Sequence, residues 1–263
     1  MSSVSPYFAL SSQGGGSTPN LQTKSVTISS FGTTVITADE GYDGLQQVNL
    51  TVQAKIKPVG GRIFYIDSGS TKTYKFYDSN FEEISSVAVG DTPMFYEELS
   101  EGNGNDKYYV YHDALYTSKC WTYSDSNDEG VYEELGTDTS QSFGTGKSNT
   151  AIIMSYNNGI YATSQFYYNG IYYDTVWKLL KNMRDSAIGG CNDWYVGSPE
   201  EYNTLRTYMN DNPSVVENLF GSDHWTSTES DSDAINKARK RKSSAWFSQG
   251  KGDLGKVIAI RSF

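Results

Sequence analysis

Cysteine and histidine are both scarce in this sequence, which has two of each among 263 residues. Cys120 and Cys191 lie far apart, and the sequence contains neither a Cys-x-x-Cys pair nor a Cys/His spacing typical of metal ligands. We therefore expect no zinc site, no other metal and no cofactor. The spacing is compatible with one disulfide or with two thiols, and we favour buried thiols because free cysteine packs as a small apolar residue.

Positive charge is also in short supply, because 21 Lys and Arg residues stand against 31 Asp and Glu residues and the formal net charge is −10. Nucleic-acid binding requires a basic surface, so we expect no nucleic-acid partner. No apolar run is long enough to span a bilayer, and the residues that follow Met1 lack the basic and apolar parts of a secretory signal. We therefore expect no membrane partner.

Sequence patterns of common enzyme sites are missing as well. The sequence has no Gly-x-Ser-x-Gly elbow and no glycine-rich phosphate loop, and its acidic pairs, such as Glu82-Glu83, are typical of solvated loops. We therefore predict a protein that is not an enzyme and has no catalytic residues.

Tyrosine, in contrast, is abundant, with 21 copies in a chain that is 14% aromatic. Tyr, Ser, Gly and Asn dominate the composition of binding surfaces that must be both adhesive and soluble. Tyrosine is also a good strand former, so a β-rich protein without such a surface is an equally valid interpretation.

The first part of the chain divides into two segments. Residues 1–20 are rich in Ser, Gly and Pro and predict a flexible N-terminal segment. Residues 21–56 contain three runs of alternating polar and apolar residues and predict a small β module. This module has too few apolar residues for a robust core of its own. The Pro and Gly residues at 57–61 then predict a boundary.

Residues 21–54 resemble a short repeat that is widespread in tail and other structural proteins of bacteriophages. The matching residues are the run TADEGYDGL at 37–45 and the strand pattern at 48–52, with Ala38 where the repeat usually has Pro. The resemblance implies a virion context, in which the module attaches to phage tail proteins.

Two helices and several short strands are predicted in residues 60–263. Apolar residues three and four apart predict a helix over 174–186, and Ser198-Pro199 with Glu201 predict the capped start of a second helix. The apolar run at 151–154 predicts a buried strand, and aromatic runs at 62–67 and 74–77 predict a hairpin. The predicted class is α+β.

Residues 60–263 resemble a C-type lectin fold of the prokaryotic kind, related to the formylglycine-generating enzymes. The resemblance is carried by NDWYV at 192–196, SPEE at 198–201, WTSTE at 225–229, Ala245-Trp246 and a closing strand at 257–263, with Gly197 where the family has Pro. It implies two helices packed on short antiparallel strands with long loops. The enzymes of this group need a cysteine pair near the C-terminal region, and no cysteine follows Cys191. The sequence also lacks the calcium-binding motifs of animal C-type lectins.

Some members of this family are variable proteins of diversity-generating retroelements, many of them phage receptor-binding proteins. The resemblance implies a fixed scaffold with hypervariable positions between about Trp225 and Phe263. The scaffold residues would be Trp194, Trp225, Glu229 and Trp246. Candidate ligand contacts are residues nearby that need not pack: His224, Ser230, Asp231, Asp233, Phe247, Gln249, Lys251, Asp253 and Leu254. The insertion at 232–244, with its basic cluster, is expected to be an exposed mobile loop.

These resemblances imply a non-enzymatic receptor-binding protein of a phage tail, made in the bacterial cytoplasm and assembled into the virion. Its ligand would be a protein or a glycan of the bacterial surface. A phage structural or assembly protein with the same fold and no diversified surface is the alternative. A homotrimer and a monomer are both compatible with the sequence.

Overall fold

The computed structural model describes residues 33–36, 50–53, 56–102, 104–112, 116–135, 141–213, 223–242 and 245–263. It is a mixed α+β structure, made mostly of sheets with three α-helices. The helices are α1 (Gly146–Ser155), α2 (Val176–Asp185) and α3 (Pro199–Asp211). The coarse class predicted from the sequence is therefore confirmed, but the described part has three helices and not two.

Seventeen strands are present in the described residues. In chain order they are β1 (Thr33–Ile36), β2 (Leu50–Gln53), β3 (Ile56–Pro58), β4 (Arg62–Ile66), β5 (Thr73–Tyr77), β6 (Glu83–Ile84), β7 (Phe95–Ser100), β8 (Tyr108–Tyr111), β9 (Tyr116–Lys119), β10 (Gln165–Tyr168), β11 (Ile171–Asp174), β12 (Tyr195–Val196), β13 (His224–Glu229), β14 (Lys237–Lys242), β15 (Ala245–Gly250), β16 (Gly255–Val257) and β17 (Ala259–Ser262).

These strands form three larger sheets and two separate hairpins. The larger sheets have the strand orders β12-β17-β8-β4, β15-β14-β13-β16-β9 and β3-β7-β5-β6, and the hairpins are β1-β2 and β10-β11. The closing strand β17 lies inside the first sheet, between β12 and β8, and its side chains are buried. Strand β17 therefore has a neighbour on each side, and its buried Ile260 belongs to the hydrophobic core.

The two predicted helices are confirmed. Ser198 caps α3 by accepting a hydrogen bond from the Glu201 backbone N–H, and the Glu201 carboxylate accepts one from the Ser198 backbone N–H, so the capping box is complete. Thr175 caps α2 by accepting a hydrogen bond from the Lys178 N–H at 3.0 Å. The cap at Ser198 was predicted from its local sequence, whereas the helix over 174–186 was predicted from its apolar period and its cap at Thr175 was not.

The prediction of a strand at 151–154 is wrong, because these residues belong to α1. The buried positions of α1 include Asn149, Thr150 and Ile153, so its inner face is partly polar and shows no apolar helical period. Thr150 accepts a hydrogen bond from the Val196 N–H at 3.1 Å, and this contact joins α1 to β12.

The predicted hairpin between residues 62–67 and 74–77 is also wrong. Both runs are strands, but β4 pairs with β8 and β5 pairs with β6 and β7. The two runs therefore belong to different sheets. A turn-like sequence between two aromatic strands is compatible with either arrangement, and the long-range pairing decided between them.

The N-terminal predictions lie largely outside the described residues, including the whole of segment 1–20. Within the 21–56 module, β1 and β2 pair antiparallel, with Thr33 opposite Gln53. Residues 57 and 58 continue β3, which pairs with β7, so the sheet begins before the Gly residues at the predicted boundary.

Cys120 and Cys191 are both buried free thiols, as we favoured from the sequence. Burial raises the pKa of the Cys120 thiol to about 12 and that of the Cys191 thiol to about 11. Both groups are therefore protonated at neutral pH and unreactive. Within the described ranges, no helix is both long and apolar enough to cross a membrane.

Candidate functional site

Strand β13 is the buried centre of the C-terminal sheet. All six of its side chains are buried, and it lies between β14 and β16. The Trp225 indole N–H donates to the Lys119 carbonyl at 3.1 Å, and the Trp121 indole N–H donates to the Thr226 carbonyl at 3.0 Å. Each buried tryptophan therefore has a partner for its one polar group, which fixes the ring and the strand together.

The basic cluster is not the exposed mobile loop that we expected. Residues 237–242 form β14, which pairs with both β13 and β15. The Lys240 side chain is only 1% exposed, its ammonium lies 4.0 Å from the centre of the Trp225 ring, and it donates to the Leu254 carbonyl at 2.8 Å. A lysine can be buried here because the aromatic face and the carbonyl oxygen replace its water. Burial still lowers the pKa of Lys240.

Lys251 and Glu229 form a second buried contact that the sequence did not predict. The Lys251 ammonium donates to a Glu229 carboxylate oxygen at 2.5 Å and to the Glu133 carbonyl at 2.6 Å. The same carboxylate accepts a hydrogen bond from the Leu135 N–H at 3.2 Å. Burial raises the pKa of Glu229 and lowers that of Lys251, while the hydrogen bond between them acts in the opposite direction on both.

Three of the predicted ligand contacts are buried, so the structure contradicts their prediction as exposed contact residues. Lys251 has no exposed surface and holds Glu229, His224 is fully buried at the start of β13, and Ser230 is 1% exposed. Ser230 shares a hydrogen bond of 2.7 Å with Ser248. In the sequence these residues have small polar neighbours, which are typical of loops. The sheet that β13, β14 and β15 form buries them.

The other candidates divide between the two faces of the β14–β15 pair. Phe247 lies opposite Lys240, and Gln249 lies opposite Ala238, so these side chains are on the Trp225 side. The Gln249 amide donates to the Asp253 carboxylate, and Asp253 and Leu254 follow in the next turn. We call Phe247, Gln249, Asp253 and Leu254 the turn group. Asp253 is exposed and the other three are partly exposed.

Asp231 and Asp233 lie between β13 and β14. The Asp231 carboxylate accepts hydrogen bonds from Arg239 at 2.6 Å and from Gln141 at 2.7 Å. Arg239 lies opposite Ser248 and so belongs to the other face of the pair. Asp233 accepts from the Asn236 amide at 2.9 Å within the turn that leads into β14. Asp231 therefore lies on the face opposite Phe247 and Gln249, and Asp233 lies in the turn before β14.

Comparisons with family models, with curated proteins and with solved structures gave no match to this chain. The arrangement of metal-binding side chain types does not indicate a site either. In the part of the chain that the structure describes, no group of three or more His, Cys, Asp or Glu side chains is placed to hold a metal ion.

The scaffold candidates are buried where their side chains are described. Trp194 is fully buried and donates its indole N–H to the Ile188 carbonyl at 2.9 Å, and Trp225 and Glu229 are buried in β13. The side chain of Trp246 lies outside the described part. Tyr132 was not among the predicted site residues. It packs beside Gly252, which lies in the loop that carries Asp253, and no local sequence pattern links two residues this far apart.

Proposed function

We propose that this chain is a non-enzymatic, ligand-binding protein of a bacteriophage tail, and that residues 60–263 are a C-type lectin-like domain. Its ligand is a protein or glycan of the bacterial surface. The module at 21–56 attaches the domain to other tail proteins in the virion. The phage-repeat and lectin-like sequence motifs supply the context for this proposal.

One structural observation supports the proposal. In the described side chains of residues 224–263 a buried frame alternates with exposed and partly exposed positions. The frame consists of Trp225 with Lys240 over its ring, and of Glu229 with Lys251. The turn group and Asp231 project from it. A frame that holds itself together with buried contacts tolerates changes in the exposed positions, which is what a diversified binding surface requires.

The test is binding of purified protein to a panel of bacterial strains. We expect a variant with Phe247→Ala, Gln249→Ala and Asp253→Ala to lose binding to the strains that the unaltered protein binds, at an unchanged melting temperature. Leu99→Ala with Glu101→Ala is the matched control, because Leu99 is 51% exposed in a different sheet. Equal binding by both variants would contradict the assignment of the turn group.

Diversification has its own test, which is the sequence of the encoding locus. A nearby reverse transcriptase gene and a near-copy of the segment encoding residues 225–263, differing at adenines, would support a diversified surface. Their absence, together with no binding across the panel, would favour a structural or assembly protein with the same fold.

A further inference from the structure

Large apolar side chains are exposed beside the turn group, although they lie elsewhere in the sequence. Tyr132 is 41% exposed, Tyr168 is 47% exposed and Ile171 is 54% exposed. Tyr168 and Ile171 form the last pair of the β10–β11 hairpin, on either side of the Asn169-Gly170 turn. That turn has positive φ at both residues, 49° and 82°, the conformation that suits a tight hairpin.

The pairing of the hairpin shows which face these residues share. Side chains two apart on a strand project to the same face, so Tyr168 lies on the face of Phe166, and Ile171 opposite Tyr168 does the same. Phe166 is 5% exposed and packs against Gly252, where an added Cβ would lie 2.6 Å from the Phe166 ring and 2.8 Å from the Tyr132 hydroxyl. The hairpin face is therefore continuous with the loop that carries Asp253.

The hairpin is held in place by the segment before Tyr132. The Ser124 N–H donates to the Gln165 carbonyl at 2.9 Å, and the Ser124 hydroxyl accepts from the Tyr167 N–H at 2.9 Å. On the opposite hairpin face the Tyr172 hydroxyl donates to the Asp128 carboxylate at 2.6 Å. Aromatic side chains on a fixed support lose little entropy on binding, which suits them as contact anchors.

The surroundings of this face are acidic. Asp253 is exposed beside Tyr132, and Asp125 and Glu129 are exposed in the turn that supports the hairpin. Asp128, in the same turn, binds Tyr172 on the opposite face. The nearby lysines are already engaged. Lys119 and Lys178 both pair with Asp174 at the base of the hairpin, and Lys251 is buried against Glu229.

We propose that Tyr132, Tyr168 and Ile171, together with Asp253, form a docking surface for a protein partner that presents Arg or Lys side chains. We call these four residues the hairpin surface. A guanidinium or ammonium group is attracted both to the face of a tyrosine ring and to a carboxylate at its edge. A neutral glycan would use the rings but gain nothing from the acidic charge, and an acidic glycan would be repelled. This inference deepens the proposed function, on which it rests. It adds Tyr132, Tyr168 and Ile171, which lie outside the C-terminal stretch, to the contact at Asp253, and it names the class of ligand.

The first test measures binding of a hexa-arginine peptide by titration calorimetry, with maltohexaose and chitohexaose as neutral glycan probes. We expect Tyr168→Ala and Asp253→Asn each to weaken peptide binding about fivefold. Phe81→Ala is the matched aromatic control, since Phe81 is 46% exposed between β5 and β6, and Glu82→Gln removes one negative charge from the same turn. Both controls should bind within about twofold of the unaltered protein.

Two results would overturn the inference. One is equal weakening by the control variants, which would mean that the peptide does not bind specifically at the hairpin surface. The other is binding of a glycan probe in place of the peptide, or of none of the probes. Melting temperatures of all variants establish that each one folds.

The cell-binding assay separates failure of this inference from failure of the proposed function. If Tyr168→Ala with Ile171→Ala leaves cell binding unchanged while the turn-group variant abolishes it, only the hairpin surface is wrong. If the unaltered protein binds the arginine peptide through the hairpin surface but binds no bacterial strain, the proposed function is wrong and the surface serves another basic partner.

Discussion

The Lys251 ammonium lies 2.5 Å from a carboxylate oxygen of Glu229, and the two side chains are 0% and 4% exposed. The pair joins the end of β13 to the loop after β15, and through the Leu135 N–H and the Glu133 carbonyl it also holds the segment before residue 136. The ammonium lies 4.7 Å from the centre of the Trp121 ring as well. One buried ion pair therefore connects three parts of the chain that are distant in sequence.

Removing one partner of this pair should destabilise the protein severely. Lys251→Met leaves the Glu229 carboxylate buried without its counter-charge, and we expect the free energy of unfolding to fall by about 3–5 kcal/mol. The measurement is urea unfolding at pH 7. In the double variant with Glu229→Gln, where neither charge remains, at least half of the loss should be recovered. Additive losses in the double variant would show that the two side chains do not act as a pair.

Lys240 and Lys237 give a matched comparison on one strand. Lys240→Met keeps the length of the side chain but loses the contact with Trp225 and the hydrogen bond to the Leu254 carbonyl. We expect it to cost about 1–3 kcal/mol in the free energy of unfolding. Lys237→Met removes an exposed lysine that lies 3.7 Å from Asp233, so its cost should be below about 0.5 kcal/mol. Equal costs measured by urea unfolding would contradict the burial of Lys240.

Asp106 should make stability depend on acid pH. Burial by itself would raise its pKa, but hydrogen bonds from Lys72 and Ser262 and the charge of Lys147 lower that pKa from 3.8 to about 2. A carboxyl group with a lowered pKa in the folded state stabilises the protein above the unfolded value, and this contribution disappears as pH falls from 3.8 through about 2. The contribution is about 2 kcal/mol.

The measurement compares urea unfolding of the unaltered protein and of Asp106→Asn between pH 2 and pH 6. The difference in unfolding free energy between the two proteins should shrink by about 2 kcal/mol towards the acid end, since the asparagine has no charge to lose. A difference that stays constant with pH would show that Asp106 is not the group responsible.

Features with a local physical cause were the ones that sequence reasoning predicted. The capping box at Ser198 and the apolar face of α2 are fixed by residues three and four positions apart, so the start of α3 and the position of α2 could be predicted directly. The burial of Trp194 and Trp225 follows from the size and apolar surface of the tryptophan side chain.

Predictions that depended on strand pairing went wrong. Two of the predicted runs, Arg62–Ile66 and Thr73–Tyr77, are strands. Their partner strands β8 and β7 are distant in sequence, and no local sequence pattern predicts which strands pair. The basic cluster at 237–242 was interpreted as a solvated loop because charge normally marks an exposed surface. The burial of Lys240 within this cluster became possible only through the Trp225 ring and the Leu254 carbonyl, which the fold brings to its ammonium.

The sequence by itself therefore determined the α+β class, the capped start of α3, the apolar face of α2 and the burial of Trp194 and Trp225, because composition and residues a few positions apart fix these features. Only the tertiary structure decided which polar residues of the C-terminal stretch are exposed. Lys251 and Asp253 are two residues apart in one turn, yet Lys251 is fully buried and Asp253 is exposed. The physical reason is that Glu229 and the Glu133 carbonyl supply partners that offset the burial of the Lys251 charge, whereas Asp253 lies at the protein surface.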